Sequence, residues 1–570
     1  SRSASGTLVI GTMAFAALAS QARSARAATI TVNGSCSLSQ AVTAVDSQRR
    51  VGGCAAGTGG DTIVLPAGTT TNVSSTLTIT RSVTVQSSDP NVNSNIFTAH
   101  GSFLTQLFLI EPIAGTTASV TFTHIEFSDT NTVATAIVAV GANRNDKLTL
   151  NACIVDGFGK GGVFAQEMSV TVNETFFTSN SANLGAGLFF SGTGTNMVLV
   201  VSNSLFDSNA TTAGGAGGAL YYNGPAHSTI NNSTFNQNSS DSGGALALFG
   251  SGIVDINGST IANNLASGEG AGGTSTATVN FNLTLLAANA INQNPALPSD
   301  WDYHSTINSL TDSLLASQSS FGGFGDQGTI SINTLGSHSI LNVDAQNGAV
   351  VDFDSFNLGG EIFSTPGALR LPATSPAVDA IPSNTTGLAT DQRGFTRGID
   401  VPGGVGSNTF DIGAIERDPN LQAENLFART ISNGALSTVS GIAGFQPSSS
   451  RKGIKFVPGS SGASSIVFHL PMYDGGGATN LILHVQSGPG CGTYEMSIGN
   501  ILLPPTNFIP IGTQSFSSST TKVVTMPAIS LAPFDQVGFG ADEVVDIKFR
   551  LVSKPANSNG QLVLDFITLQ

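Results

Sequence analysis

Between Val172 and Gly273 the chain states one short phrase four times: Phe177-Thr-Ser-Asn180, Phe206-Asp-Ser-Asn209, Phe235-Asn-Gln-Asn238 and Ile261-Ala-Asn-Asn264, at steps of 29, 29 and 26 residues. Each copy is followed, at a more variable distance, by a glycine step: Gly185-Ala-Gly-Leu188, Gly217-Gly-Ala-Leu220, Gly243-Gly-Ala-Leu246 and Gly272-Gly-Thr-Ser275. A period in the twenties, written in Val, Ile, Thr, Phe, Asn and Gly with almost no charge, belongs to stacked strands and not to paired helices. The alternation at Ser169 to Phe177 and Val198 to Phe206 sets apolar side chains on one strand face. One coil cannot bury that face, and a stack of coils can. Stacking also sets each residue type above its own copy, so Asn180, Asn209, Asn238 and Asn264 are expected to form an internal amide ladder. The glycine steps fit corners that need positive φ or close backbone approach. The expected fold is all-β, a right-handed parallel β-helix of three short strands per coil.

The solenoid extends on both sides of this stretch. A strand after Ala28, a short helix at Leu38 to Ser47, a Gly-rich loop with Cys54 and strands at Thr62 to Leu65 and Thr76 to Thr80 read as an end cap and first coil. Phe127-Ser-Asp and Val155-Asp-Gly stand where the later phrase stands. Beyond Gly273, Ala277 to Leu286 continues the stack. Asn289 to Gly328, with the single tryptophan Trp301, reads as an excursion. Further coils are expected at Ile330–Asn333, Ile340–Val343, Ala349–Phe353 and Gly367–Leu371. Arg393, amid Asp391, Asp400 and Asp411, reads as a structural ion pair near the solenoid's end. A boundary near Asp418-Pro-Asn420 gives a β-helix over 28–420. Residues 421–570 hold alternating strands between Pro, Gly and Ser turns, expected to form an antiparallel, jelly-roll-like β-sandwich.

The paired Phe-x-x-Asn and Gly-Gly-Ala-Leu motifs resemble those of the polymorphic outer membrane proteins, whose passenger domains are right-handed β-helices. The chain departs from them after residue 420, where it lacks the many ten-residue strands of a membrane barrel. A broader resemblance runs from about Ala28 to Glu416. Cys36-Ser-Leu-Ser-Gln-Ala41, Gly60-Asp-Thr-Ile-Val-Leu-Pro-Ala-Gly68, Ser375-Pro-Ala-Val-Asp379, Thr390-Asp-Gln-Arg-Gly-Phe395 and Asp411-Ile-Gly-Ala-Ile-Glu416 are similar to the "choice-of-anchor Q" family of secreted bacterial β-helix proteins. That resemblance implies a secreted or cell-surface protein and brings no catalytic residues with it.

Only 10% of the residues are charged and the net charge is −15, with no basic cluster, which argues against nucleic acid as a partner. Residues 1–27 have the order of a secretory signal peptide: Arg2, an apolar run from Leu8 to Ala19, and Ala25-Arg-Ala27 before Ala28. If retained, the segment is the one place where the chain meets a membrane. In an exported chain Cys36 and Cys54 are expected to pair as a disulfide, and Cys153 to be a buried free thiol on a strand. No Cys-x-x-Cys or Cys/His grouping points to zinc, and no cofactor is expected.

Enzymes on β-helices need a column of reactive groups on successive coils, such as paired carboxylates or an acidic cation site with a base. The repeats carry instead Ser204, Ser233 and Ser259, and the positions equivalent to Asp207 are Asn236 and Ala262. The candidates for catalysis are His124 and Glu126 in Val120-Thr-Phe-Thr-His-Ile-Glu-Phe127, two apart and expected on one strand face. Outward polar residues of an inert surface strand look the same. Trp301, Tyr303 and His304 are candidates for stacking on a sugar, against a loop pinned to the wall by its own aromatics. The leading expectation is a non-enzymatic extracellular structural protein of a surface layer, sheath or filament that self-associates into a homo-oligomer or polymer. The alternatives are a polysaccharide lyase or hydrolase, and an adhesin that binds glycans or a host surface.

Overall fold

The computed structural model describes residues 27–89, 93–98, 104–129, 134–292, 297–321 and 327–343, most of 369–416, and the backbone of the strands between 442 and 569. Parallel strands stack into a β-helix of the right-handed type. Sheet 1 has twelve strands, from Thr29–Thr31 to Ser331–Leu335; sheet 2 has eleven, from Thr70–Val73 to Ile340–Leu341; sheet 3 has eight, from Leu77–Ile79 to Gly273–Ser275. Three strands per coil are what the repeat predicts. In the middle of the stack there are four: between sheets 2 and 3 runs a five-stranded sheet 4, from Ser181–Leu184 to Ala290–Ile291. The chain between each ladder asparagine and its glycine step is long enough to pair with its own copy, and it does so with slipped register.

Many of the described corners turn on left-handed residues stacked in columns. Between sheets 1 and 2 they are His124, Ala152, Glu174, Asn203, Asn232, Gly258, Leu283 and Asp312, with φ from 46° to 54°. Ser179, Ser208, Gln237, Asn263 and Ala288 do the same before sheet 4. Non-glycine residues hold this conformation at a cost that the hydrogen bonds above and below override. Entering sheet 3, Gly217 has φ +68° and a Cβ on Gly218 would strike the carbonyl of Gly244, so the Gly-Gly step admits no side chain. Inside, Phe177, Phe206 and Phe235 stack face to face at 4.6 and 4.9 Å, with Ile261 next in register.

The first coil is closed by the helix Leu38–Ser47, which starts in a reciprocal capping box between Ser37 and Gln40. It buries Leu38, Ala41, Val42, Ala44 and Val45 and so covers strand edges and core at the solenoid's end. Cys36 and Cys54 form the disulfide beside it, and Cys153 is a buried thiol whose pKa burial pushes up to about 12.

The described residues of 369–416 do not add coils. Gly367–Leu371 is read from the sequence as a strand of the stack, yet Leu369 and Leu371 join Ala377, Val378, Ile381 and Ile412 in a second layer against Leu285, Ala287 and Leu314 of sheet 2. This explains a break in alternation. Ile154–Asp156 and Phe176–Thr178 each bury only their central residue, whereas Leu205–Asp207, Thr234–Asn236, Thr260–Ala262 and Leu285–Ala287 are buried on both faces. The expected coil at Ala349–Phe353 lies outside the described residues. From Ile442 to Leu569 antiparallel strands form a six-stranded and a four-stranded sheet. Their side chains lie outside the described residues, and with them the expected packing of the two sheets as a sandwich. Residues 1–26, and so nearly all of the expected signal segment, also lie outside.

Candidate functional site

The ladder residues define the interior. Asn180 donates from Nδ2 to Asn209 Oδ1 at 2.9 Å, Asn209 to Asn238 Oδ1 at 3.0 Å, and Asn238 to Asn264 Oδ1 at 3.0 Å. Each also donates to a carbonyl of its own wall (Val155, Phe177, Phe206 and Phe235), and each Oδ1 from Asn209 onward accepts the backbone N–H of the asparagine before it. Two rungs escape sequence reading. Asn264 donates to Asn289 Oδ1, and Asn289 to Asp300 Oδ1, both at 2.9 Å. Asp300 comes from the excursion, 11 residues after Asn289, where a coil would need more than twenty. Its buried carboxyl is pushed up to about 6 by burial and is held by Asn289 and the Ser317 N–H. A hydroxyl ladder runs alongside: the N–H of Thr175, Ser204, Ser233, Ser259 and Thr284 each meets the next coil's Oγ. Buried polar groups along both ladders are therefore occupied, and they offer nothing to a substrate.

His124 and Glu126 do not share a strand face. The strand Ser119–Thr123 of sheet 1 ends before His124, whose φ of 54° turns the chain into Ile125–Ser128 of sheet 2. The expected alternation is broken by the corner between them. Half-burial lowers the His124 pKa, while the charges of Glu174 and Asp89 raise it; Glu126 accepts a hydrogen bond from Ser128 Oγ at 3.3 Å. Asp207, the acid within the clean repeats that faces out from sheet 2, is also buried. Its carboxyl is pushed up to about 6 by desolvation and accepts from Asn236 Nδ2 and Ser208 Oγ at 2.6 and 2.8 Å.

The excursion's aromatics part ways. Trp301 is fully buried, edge-on to Phe281 at 5.1 Å, and a Cβ on Gly273 would fall inside its indole. It plugs the core where sheet 3 ends, so of the two readings of this residue it follows that of a loop pinned to the wall by its aromatics and not that of a sugar contact. Tyr303 and His304 stay accessible, with ring centroids 4.0 Å apart, and Tyr303 packs against Gly328. His304 Nδ1 lies 2.8 Å from Glu269 Oε2 and 3.3 Å from Asp302 Oδ1, and its side chain is 61% exposed. The hydrogen bond with Glu269 raises its pKa. Asp302 is nearly buried, its Oδ2 held by Thr274 Oγ1 at 2.7 Å and Ser305 Oγ at 3.1 Å. Glu269, at the end of the sheet 4 strand Leu265–Glu269, and Asp302 are not marked by any motif. Their signal was charge itself, a carboxylate in a nearly charge-free repeat. Among the described residues this is where two carboxylates and an imidazole converge. The arrangement can orient an imidazole with Nε2 free, as acid or base, or hold a cation.

Arg393 donates from Nε and Nη2 to Asp391 Oδ2 at 2.9 and 2.6 Å. The expected ion pair is present, but it sits on the solenoid's side. The buried cation is its neighbour Arg397, which donates to Asn232 Oδ1 and the carbonyls of Gly258 and Gly413 and lies 3.7 Å from Glu416. Gln392 reaches Thr234 and Ser204, and the Ala414 N–H reaches Thr260 Oγ1. These contacts clamp the outer layer to sheet 2.

No known protein family and no curated protein matches the sequence. Solved structures of similar course include the enzymatically active domain of tailspike protein 4 of bacteriophage CBA120, with 10% identity and a TM-score of 0.27 over 90% of this chain and 64% of that one. They also include the Dettilon tailspike protein, with 10% identity and a TM-score of 0.26 over 89% and 88%. A third is the tailspike gp49 of the Acinetobacter baumannii bacteriophage Fri1, described as a capsular polysaccharide depolymerase, with 10% identity and a TM-score of 0.21 over 90% and 81%. The chain thus spans just under two thirds of the first of these. At such values the likeness does not bear on function. What the chain's own strand register defines is a parallel β-helix protein with an outer layer on one wall.

Proposed function

We propose that this chain is an extracellular structural protein, a stiff β-helix rod with an added antiparallel β module, that self-associates in a surface layer, sheath or filament. The observation that carries the reading is the interior in which asparagine, serine and threonine ladders consume their own hydrogen-bonding groups from coil to coil. Such a wall resists bending and presents no column of reactive groups among the described residues. The resemblance of residues 28–416 to secreted surface β-helices agrees with it. Light scattering and electron microscopy of the purified chain test it: ordered oligomers or filaments that grow with concentration are expected, and a strict monomer at high concentration overturns the reading.

One observation favours a second reading, a polysaccharide-active β-helix. Tyr303 and His304 stand accessible on the wall, and the imidazole is oriented by two carboxylates. Under this reading His304 exchanges protons with a glycan whose ring rests on Tyr303. Incubation with a panel of polysaccharides, followed by assay of reducing and unsaturated ends, decides between them. Release of ends that is lost in His304→Ala replaces the first reading; no release across the panel removes the second.

A further inference from the structure

We propose that Glu269, Asp302 and His304 form a binding site for a divalent transition-metal ion, with Zn²⁺ or Mn²⁺ as the fitting class. One ligand atom from each residue lies within 4.8 Å of the other two. The separations from His304 Nδ1, 2.8 Å to Glu269 Oε2 and 3.3 Å to Asp302 Oδ1, can be compared with a coordination polyhedron. An ion with bonds of about 2.0–2.2 Å and angles from square to tetrahedral spaces its ligands roughly 2.8–3.6 Å apart. Both measured edges fall in that span. The third closes by rotation of Glu269, whose side chain is 39% exposed.

The chain contains its own controls. Among the described residues His227 meets one carboxylate, Asp255 at 2.7 Å, and His338 meets one, Asp312 at 3.0 Å. At His304 two carboxylates flank one imidazole nitrogen: Glu269 is its hydrogen-bond partner at 2.8 Å, and Asp302 Oδ1, 3.3 Å from the nitrogen, accepts the His304 backbone N–H. A doubly charged ion neutralises the pair and takes the nitrogen's lone pair as well. Asp302 is already fixed for this task. Thr274 and Ser305 hold Oδ2, and the His304 backbone N–H, at 2.9 Å, fixes Oδ1 beside the imidazole with a lone pair to spare, the outer-layer support that aligns metal-binding carboxylates. The exposed side of His304 leaves room for water to complete the coordination. An imidazole among the ligands favours first-row transition ions over Ca²⁺ and Mg²⁺, which take oxygen. The ion would tie the sheet 4 strand Leu265–Glu269 to the loop that closes sheet 3.

Titration calorimetry of the full chain, freed of metal by chelator, with ZnCl₂, MnCl₂ and CaCl₂ tests the site. One saturable site per chain is expected for Zn²⁺ or Mn²⁺, at least tenfold weaker in His304→Ala and in Glu269→Gln and unchanged in His227→Ala. Binding should release a proton, seen as a heat that depends on the buffer. The same ion should raise Tm in the wild type and not in His304→Ala, both of which fold because the side chain is largely exposed. No saturable binding at millimolar metal, equal affinity in His304→Ala, or tighter binding of Ca²⁺ than of either transition ion overturns the proposal.

Discussion

Two regions of this molecule bury polar groups in opposite ways. From Asn180 to Asn289 the interior uses amides and hydroxyls, each bonded to its own copy one coil away. From Asp300 to Glu416, where the asparagine ladder has ended although coils run on to Leu341, the buried groups include charges: Asp300, Asp302, Asp391, Arg397, Asp411 and Glu416. Stacking explains the division. Coils repeat about every 4.8 Å, so a carboxylate repeated at one position would face its own charge on either side. An amide both donates and accepts, and can stack without limit. A stack that ends needs a final acceptor with nothing left to donate, and Asp300 supplies it. Likewise an outer layer with no copy above or below it must be fastened by groups of opposite kind, and Arg397 with its carbonyls and carboxylates does this.

The comparison breaks most readily at Arg397. Arg397→Ala leaves Glu416 buried without its cation and removes the donor that joins Asn232, Gly258 and Gly413. A loss of about 3–5 kcal/mol is expected. It should appear as a separate early transition in urea, with proteolysis confined at first to 369–416, because the ladders of the coils are untouched. A single cooperative transition shifted as a whole would mean that layer and coils are one unit.

The division also marks what the sequence reveals. The four Phe-x-x-Asn copies, the glycine steps and the Leu38–Ser47 cap are legible because their partners sit one repeat away or within a few residues. The fold-back of 369–416 is not. Ser204 and Thr260 meet Gln392 and Ala414 across 188 and 154 residues, and no periodicity spans such a gap. Asp300 is hidden for a related reason, since it takes a ladder position from a loop of the wrong length. His124 and Glu126 mislead because a left-handed corner residue is invisible to a pattern of alternation; Asn, Ala, Glu and Leu all occupy that column as well. For Trp301 the sequence leaves two readings, pinned to the wall or open to a sugar, and only the slot at Gly273 decides for the first.

Within the ladder, burial sets the cost of a broken rung. Asn238→Leu strands the N–H and one Nδ2 hydrogen of Asn209 and takes a donor from the Phe206 carbonyl, all buried, while Asn264 Oδ1 keeps the backbone N–H of residue 238; about 2–4 kcal/mol is expected. Sheet 1 carries a second ladder on its half-exposed outer face, where Asn257 donates to Asn231 at 2.9 Å and accepts from Asn282 at 3.0 Å. There water replaces the lost partner, and Asn257→Leu should cost about 0.5 kcal/mol or less. Urea midpoints of the two variants check the ratio, and equal losses would show that stacking geometry, not burial, gives the ladder its value.

Asp207 tests the rule from inside the repeat, because it is a carboxylate set in a column whose next members are Asn236 and Ala262. Its folded pKa stands at about 6, above the ordinary 3.8, so the native state holds a proton that the unfolded chain has released. Stability from this group is therefore complete below pH 4, falls as pH rises towards 6, and is lost above it, a swing of about 2–3 kcal/mol. Asp300 adds a fall of the same sign over the same range. Asp207→Asn keeps an acceptor for Asn236 and can donate to Ser208 Oγ, so it removes the first contribution and leaves the second. The variant should match the wild type near pH 4 and exceed it at pH 7, with a smaller decline in urea midpoint between the two. If the difference between the two proteins does not change with pH, Asp207 is not the buried proton carrier, and the coils tolerate charge as readily as the layer that covers them.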